Sequence, residues 1–141
     1  NELVAIPTET VYGLAGNIYD EQSIKKIFET KKRPFFNPLI VHIHDKSVLE
    51  EIVSEIPAKA EILASTFWPG SLTLVLKKNS KISDLITAGK DTVAVRVPNH
   101  PMTLALLKSL NFPLAAPSAN PFGSISPTTA LHVADYFPAT L

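Results

Sequence analysis

The sequence predicts an α/β domain built on a mixed sheet. Short apolar segments with period-two alternation take turns with segments whose apolar residues recur at helical spacing. Two strand-like segments, 71–78 and 91–98, lie close together in the chain, which makes a purely parallel sheet unfavourable and a mixed one the better reading. At 141 residues, 45% hydrophobic and 18% charged, the chain can bury a substantial core and has the composition of a single globular domain.

The elements follow in order. "ELVAIP" reads as a short buried strand that ends at Pro7. "DEQSIKKIFETKKRP" reads as a helix from Asp20, with Ile24, Ile27 and Phe28 on one stripe. Its acidic start and basic end suit the helix dipole, and Pro34 stops it. "NPLIVHIH" (37–44) is a strand with Leu39, Val41 and Ile43 on one face. Helices are expected over 46–54 and 57–67, the second ending at "WPG". After the strand pair comes "HPMTLALLKSL", a helix with Pro101 near its start. "FPLAAP" (112–117) is a short strand feeding the loop "SANPFGSISPTTA", and Thr128 or Thr129 is placed to cap a last helix over 130–136.

Composition excludes several functions. Thirteen Lys and Arg balance thirteen Asp and Glu, so extended non-specific binding to nucleic acid is disfavoured. With no cysteine there is no disulfide, thiolate metal site or cysteine nucleophile. No apolar run approaches the ~20 residues of a membrane span, and the first residues lack the charged start and apolar core of a secretory signal. A cytoplasmic protein without membrane partners is expected, and both ends of the sequence read as cuts in a longer chain.

Four polar clusters fall at or just after predicted strands, at 7–13, 31–44, 92–98 and 117–128, where open α/β sheets bind ligands. The first, "PTETVYG", carries more hydroxyls than a turn needs, although Thr8 and Thr10 could serve the turn alone. The second lies in the densest positive charge of the chain, Lys25, Lys26, Lys31, Lys32 and Arg33. Arginine is rare: Arg33 and Arg96 stand against eleven lysines. Its planar fork binds carboxylate or phosphate through two parallel bonds, which lysine cannot do. Arg96, inside the apolar "TVAVRVP", needs a partner, either a carboxylate of the chain or an anionic ligand, and the ligand is the favoured reading. His42 and His44 share one strand face, but no third ligand accompanies them, so a hydrogen-bonding role is preferred to zinc. Neither phosphate-loop nor dinucleotide glycine motif occurs. Phosphates would rest on Lys, Arg, hydroxyls and amides, with Ser118, Asn120, Ser124 and Ser126 as short donors before a helix.

Taken together, "PTETVYGLAGN", "KKRPFFNPLIVHI", "FWPGSLTLVL", "AGKDTVAVRVPNHP" and "PLAAPSANPFGSISPT" resemble the YrdC family of threonylcarbamoyl-AMP synthases, in the family's order and over nearly the whole chain. The resemblance implies a twisted, open, mixed α/β sheet around a deep basic cavity. It also implies a reaction. L-threonine captures bicarbonate as a carbamate, which attacks the α-phosphorus of ATP to give threonylcarbamoyl-AMP and pyrophosphate, and pathway proteins then pass the group to tRNA. Carried over by motif, Thr10, His42, Arg96 and the backbone at Ala116 would meet threonine. Lys31, Arg33 and Asn37 would face the ATP phosphates, and Thr92, Ser118, Asn120 and Ser126 would contact the nucleotide. Mg²⁺ is expected with ATP, without a protein cage, and no side chain is assigned as nucleophile or base. "PGS" stands where the family has "PGP", and "SANPFG" lacks one hydroxyl of its counterpart. The family's later segments, which help close the site on ATP, are expected to lie beyond residue 141. Two rivals stand beside this reading: an RNA-binding module of the same fold, disfavoured by zero net charge and few exposed aromatics near the basic cluster, and a paralogue with a different substrate.

Overall fold

The computed structural model describes residues 2–141. Its six strands are β1 (Val4–Ile6), β2 (Gly13–Asn17), β3 (Ile40–His42), β4 (Leu74–Lys77), β5 (Thr92–Arg96) and β6 (Leu114–Ala115). They form one sheet in the order β1-β2-β6-β3-β5-β4. Only β3 and β5 pair in parallel; the other neighbours are antiparallel. The expected mixed α/β sheet is thus present, with the β4–β5 pair as one of its two antiparallel edges.

The helices are α1 (Glu21–Lys31), α2 (Leu49–Ile52), α3 (Ala58–Phe67), α4 (Asp84–Thr87), α5 (Pro101–Ser109) and α6 (Ala130–Tyr136). Their ends obey local chemistry. Asp20 caps α1 by accepting from the Gln22 N–H, Thr129 caps α6 through the His132 N–H, and Pro101 opens α5. Helix α1 stops three residues before Pro34, because Lys32 turns left-handed at φ 52° and the Arg33 N–H bonds back to Phe28 O at 2.9 Å. That turn swings Arg33 off the helix axis.

Several elements depart from expectation. The first strand is a sheet edge with Val4 exposed, not a buried strand. "GLAGN", to which the sequence reading assigns no element, is β2; its two glycines hid it. The strand expected over 37–44 keeps only three residues, since Pro38 delays its start and a bend follows His42. The 46–54 helix splits into a 3₁₀ turn and the four-residue α2, and α4 was not anticipated.

Both faces of the sheet are covered. Val41, Val93, Val95 and Ala115 point into the main core with Ile24, Ile27 and Phe28 of α1. The alternate residue Leu114 joins Ile6, Ala15, Ala116 and Leu107 of α5 in a second cluster. Because successive strand residues face opposite sides, His42 and Arg96 point away from the main core, toward the α5 side.

Candidate functional site

His42 and Arg96 are register partners on the parallel strands β3 and β5. Over them folds the loop between β1 and β2, residues 7–12. This loop is pinned to α5 through the Thr103 hydroxyl, which donates to Pro7 O. Thr8 sets its internal turn: its hydroxyl donates to Val11 O at 2.6 Å and accepts the Thr10 N–H at 3.1 Å. The Thr10 Oγ1 then lies 3.4 Å from both Nη1 and Nη2 of Arg96. Thr8 thus builds the turn, one of the two roles weighed from sequence, and Thr10 faces the arginine.

Arg96 is held on three sides. Its Nε donates to Gly70 O at 3.2 Å, its fork touches Thr10, and Nη2 pairs with the carboxylate of Glu9. The second oxygen of Glu9 accepts the Asn99 N–H at 2.6 Å. The sequence reading favoured a ligand as the partner of Arg96; the structure pairs it with a carboxylate of the chain itself. Glu9 was missed because it is one of thirteen acidic residues, and only the fold of its loop brings it across to β5. Burial lowers the Arg96 pKa from its ordinary value. His42 is 3% exposed, its Nδ1 3.1 Å from Ile40 O. Burial drops its pKa to about 4, so it is a neutral ring at physiological pH. His44 lies past the strand end, in the walls of separate clefts, one with Glu51 and one with Lys46 and Trp68.

A second group gathers at the end of α1. Lys31 is 1% exposed and donates to two backbone carbonyls, Ser118 O and Asn120 O. Its own carbonyl accepts the Phe122 N–H at 2.7 Å. Among the described residues it has no carboxylate partner, and desolvation, with the charge of Arg33 second, lowers its pKa to about 8. Lys31 is thus the strut that fixes the 118–122 loop to α1. Arg33 donates from Nη2 to Pro38 O at 3.0 Å and sits 6.0 Å over the Phe122 ring. Its Nε and the Asn37 Nδ2 are both buried without an acceptor, and the Asn120 Oδ1 is buried without a donor. Orphaned donors cost free energy unless something accepts from them.

The first and fourth polar clusters are stitched together by backbone. Leu14 N–H bonds Pro117 O, Ala119 N–H bonds Tyr12 O, and Tyr12 N–H bonds Pro127 O, each at 2.8 Å. The Ala116 N–H is used on Ile40 O at 3.0 Å. Two expected residues stand apart. Thr92 opens β5, four positions from Arg96 and therefore about 13 Å along the strand. Ser126 is exposed and lines a cleft of about 510 Å³ with Ile125, Thr128, His132, Asp135 and Tyr136. None of the five clefts described is lined by Lys31, Arg33 or Arg96: Glu9 and Thr10 lie against one arginine, and the lysine head is spent on carbonyls. One expectation fails outright. Phe35, Phe36 and Phe122 are 51%, 75% and 51% exposed beside Arg33, so aromatics near the basic cluster are not scarce.

Comparison with known proteins agrees with this architecture. The family model described as Sua5_yciO_yrdC, telomere recombination, matches residues 1–141. A threonylcarbamoyl-AMP synthase of Pyrococcus abyssi is 55% identical over 136 residues, covering 96% of this chain and 40% of the relative. One of Bacillus subtilis is 54% identical over 135 residues, covering 95% and 39%. The crystal structure of P. abyssi Sua5 complexed with L-threonine superposes with a TM-score of 0.97 at 54% identity, over 99% of this chain and 41% of that one. The chain thus spans about two fifths of the length of these relatives.

Proposed function

The chain belongs to the Sua5/YciO/YrdC family, and from that membership we propose that it forms the synthase domain of a threonylcarbamoyl-AMP synthase. In this reading L-threonine, bicarbonate and ATP yield threonylcarbamoyl-AMP and pyrophosphate in the cytoplasm, and partner proteins deliver the group to tRNA. The observation that carries it is the presence of two donor-rich groups in one fold: Arg96 with Thr10 and His42 for an amino acid, and the 31–37 segment before β3 with buried donors that lack acceptors.

The division of labour follows from donor chemistry. A guanidinium fork suits the threonine carboxylate, with Thr10 Oγ1 and the neutral His42 ring beside it to orient the side chain. Arg33, Asn37 and the hydroxyls of Ser118 and Ser126 present donors to nucleotide oxygens, and Lys31 adds a fixed positive charge while holding that loop in place. The carbamate oxygen attacks the α-phosphorus as the bond to the bridging oxygen of pyrophosphate breaks. Holding two anions together in a fixed geometry is the protein's part. The 31–37 segment offers donors rather than oxygen ligands, so it suits phosphate oxygens and leaves Mg²⁺ to arrive on the nucleotide, where it would offset developing charge.

Calorimetric titration of L-threonine, with L-serine as control, tests this. The extra methyl is expected to improve binding about tenfold in a fitted pocket. Equal binding of both, or of neither, by the full-length folded protein would refute the assignment. The exposed rings of Phe35, Phe36 and Phe122 around Arg33 support a weaker second reading, an RNA contact on this face. A steep loss of RNA binding with salt, from sub-micromolar affinity, would establish that reading, and its absence would remove it.

A further inference from the structure

We infer that Glu9 makes the Arg96 site selective for ligands that carry an amino group beside their carboxylate. The inference rests on the proposed amino-acid reading and deepens it, since it assigns a role to a residue which that reading leaves out.

The fork of Arg96 is incompletely used. Nε is committed to Gly70 O, but Nη1 has only the 3.4 Å contact with Thr10, and Nη2 shares that contact and takes one oxygen of Glu9. Contacts of that length are weak. A ligand carboxylate binding both fork nitrogens would improve on them. Its arrival brings a second carboxylate to a guanidinium that Glu9 already neutralises. Glu9 cannot simply swing away. Its other oxygen is tethered to the Asn99 N–H at 2.6 Å, and its loop is fixed by the Thr8 turn and by Thr103 on Pro7 O. The side chains of Arg96 and Glu9 are only 10% and 25% exposed, so water and salt screen their charges poorly.

A simple carboxylate or hydroxy acid would therefore seat on Arg96 against the uncompensated charge of Glu9. An α-amino acid resolves the conflict, because its ammonium stands one carbon from its carboxylate and can face Glu9 while the carboxylate faces Arg96. The ion pair acts as a mould for a zwitterion. It attracts the right ligand and, through like charge, rejects a ligand lacking the amine.

The test is calorimetry on the full-length protein with L-threonine and with 3-hydroxybutyrate of matching configuration, which lacks the amino group, for wild type, Glu9→Gln and Glu9→Asp. Wild type is expected to prefer threonine by about a hundredfold, Glu9→Gln to reduce that ratio about tenfold or more, and Glu9→Asp to retain it. Glutamine keeps an acceptor for the Asn99 N–H, and thermal melts verify that each variant is folded. A ratio unchanged in folded Glu9→Gln overturns the inference while leaving the threonine reading intact. So does a wild type that binds the two ligands within about threefold of each other, whatever the variants do. A wild type that prefers another α-amino acid, with the same collapse of the ratio in Glu9→Gln, sinks the threonine assignment and supports the role of Glu9. A wild type that binds no amino acid overturns both.

Discussion

Gly70→Ala is expected to damage the amino-acid site without touching any residue that faces ligand. Gly70 sits in the turn after α3, its N–H bonded to Val97 O at 2.8 Å and its carbonyl accepting from Arg96 Nε at 3.2 Å. A Cβ there would lie 2.4 Å from the Phe67 carbonyl oxygen, where ordinary contact begins at 3.4 Å. The turn must give by about 1 Å, and the obstacle is backbone, so no rotamer relieves it. Such a shift stretches the bond to Arg96 to about 4 Å, outside hydrogen-bonding range. Overpacking costs about 1–3 kcal/mol and the lost bond to a guanidinium about 1.5–3 kcal/mol more. A loss of about 3–5 kcal/mol lowers Tm by about 10–15 °C in a chain of this size. With one anchor gone, Arg96 holds its fork less firmly, and threonine affinity should fall about tenfold. Thermal melts and calorimetry read the two effects. Gly89→Ala is the control, since nothing lies within 4 Å of its Cβ but its φ is +77°. It should cost about 1 kcal/mol of backbone strain and leave threonine binding alone. If Gly70→Ala melts within about 2 °C of wild type and binds threonine equally well, the tight seat of Arg96 is refuted.

Arg33→Ala should weaken ATP binding with little change in threonine affinity or stability, because Arg33 makes one exposed bond within the protein, to Pro38 O; equal loss of both ligands in parallel titrations would contradict that separation. Lys31→Met leaves the Ser118 and Asn120 carbonyls without their donor, at about 1–3 kcal/mol each. The 118–122 loop should then open, seen as faster hydrogen exchange at Ala119 and Phe122 together with weaker ATP binding; unchanged exchange would deny the strut. His42 predicts an acid limb in stability. Its folded pKa of about 4 lies below the ordinary 6.5, so between these values the unfolded chain binds the extra proton and stability falls as pH falls. Full burial makes this about 3 kcal/mol. Denaturant unfolding at pH 7 and pH 4 should show His42→Asn losing less than wild type by about that amount, and parallel losses would refute it.

Period-two and helical spacing located every strand of four or more residues except β2, along with the cores of α1, α3, α5 and α6. The misses have two causes. "GLAGN" has the composition of a turn, yet Gly13 and Gly16 are there because neighbours crowd them: a Cβ on Gly16 would lie 3.1 Å from Leu3 Cδ2 and 3.2 Å from Ile27 Cδ1. Tertiary approach of α1 and β1 chose those glycines, and no local rule reports it. Separately, α4 is a single turn capped by Ser83, too short for periodicity to register.

The site was legible where residue type alone narrows the chemistry. Two arginines among thirteen basic residues pointed to Arg33 and Arg96, and both have burial and donor geometry suited to anions. What sequence could not resolve is which charges meet. Lys25, Lys26, Lys31 and Lys32 are equivalent in a sequence-level charge count, yet only Lys31 falls on the buried stripe with Ile24, Ile27 and Phe28. Helical spacing places it there, four residues after Ile27, so its burial was legible while its carbonyl partners, some ninety positions away, were not. Glu9 carried no such signal, because its partners Arg96 and Asn99 are about ninety positions away and reach it only after the sheet has formed. The consequence reaches the chemistry. An arginine read as waiting for a ligand is already neutralised by the chain, so its selectivity depends on the acid beside it as much as on its own fork.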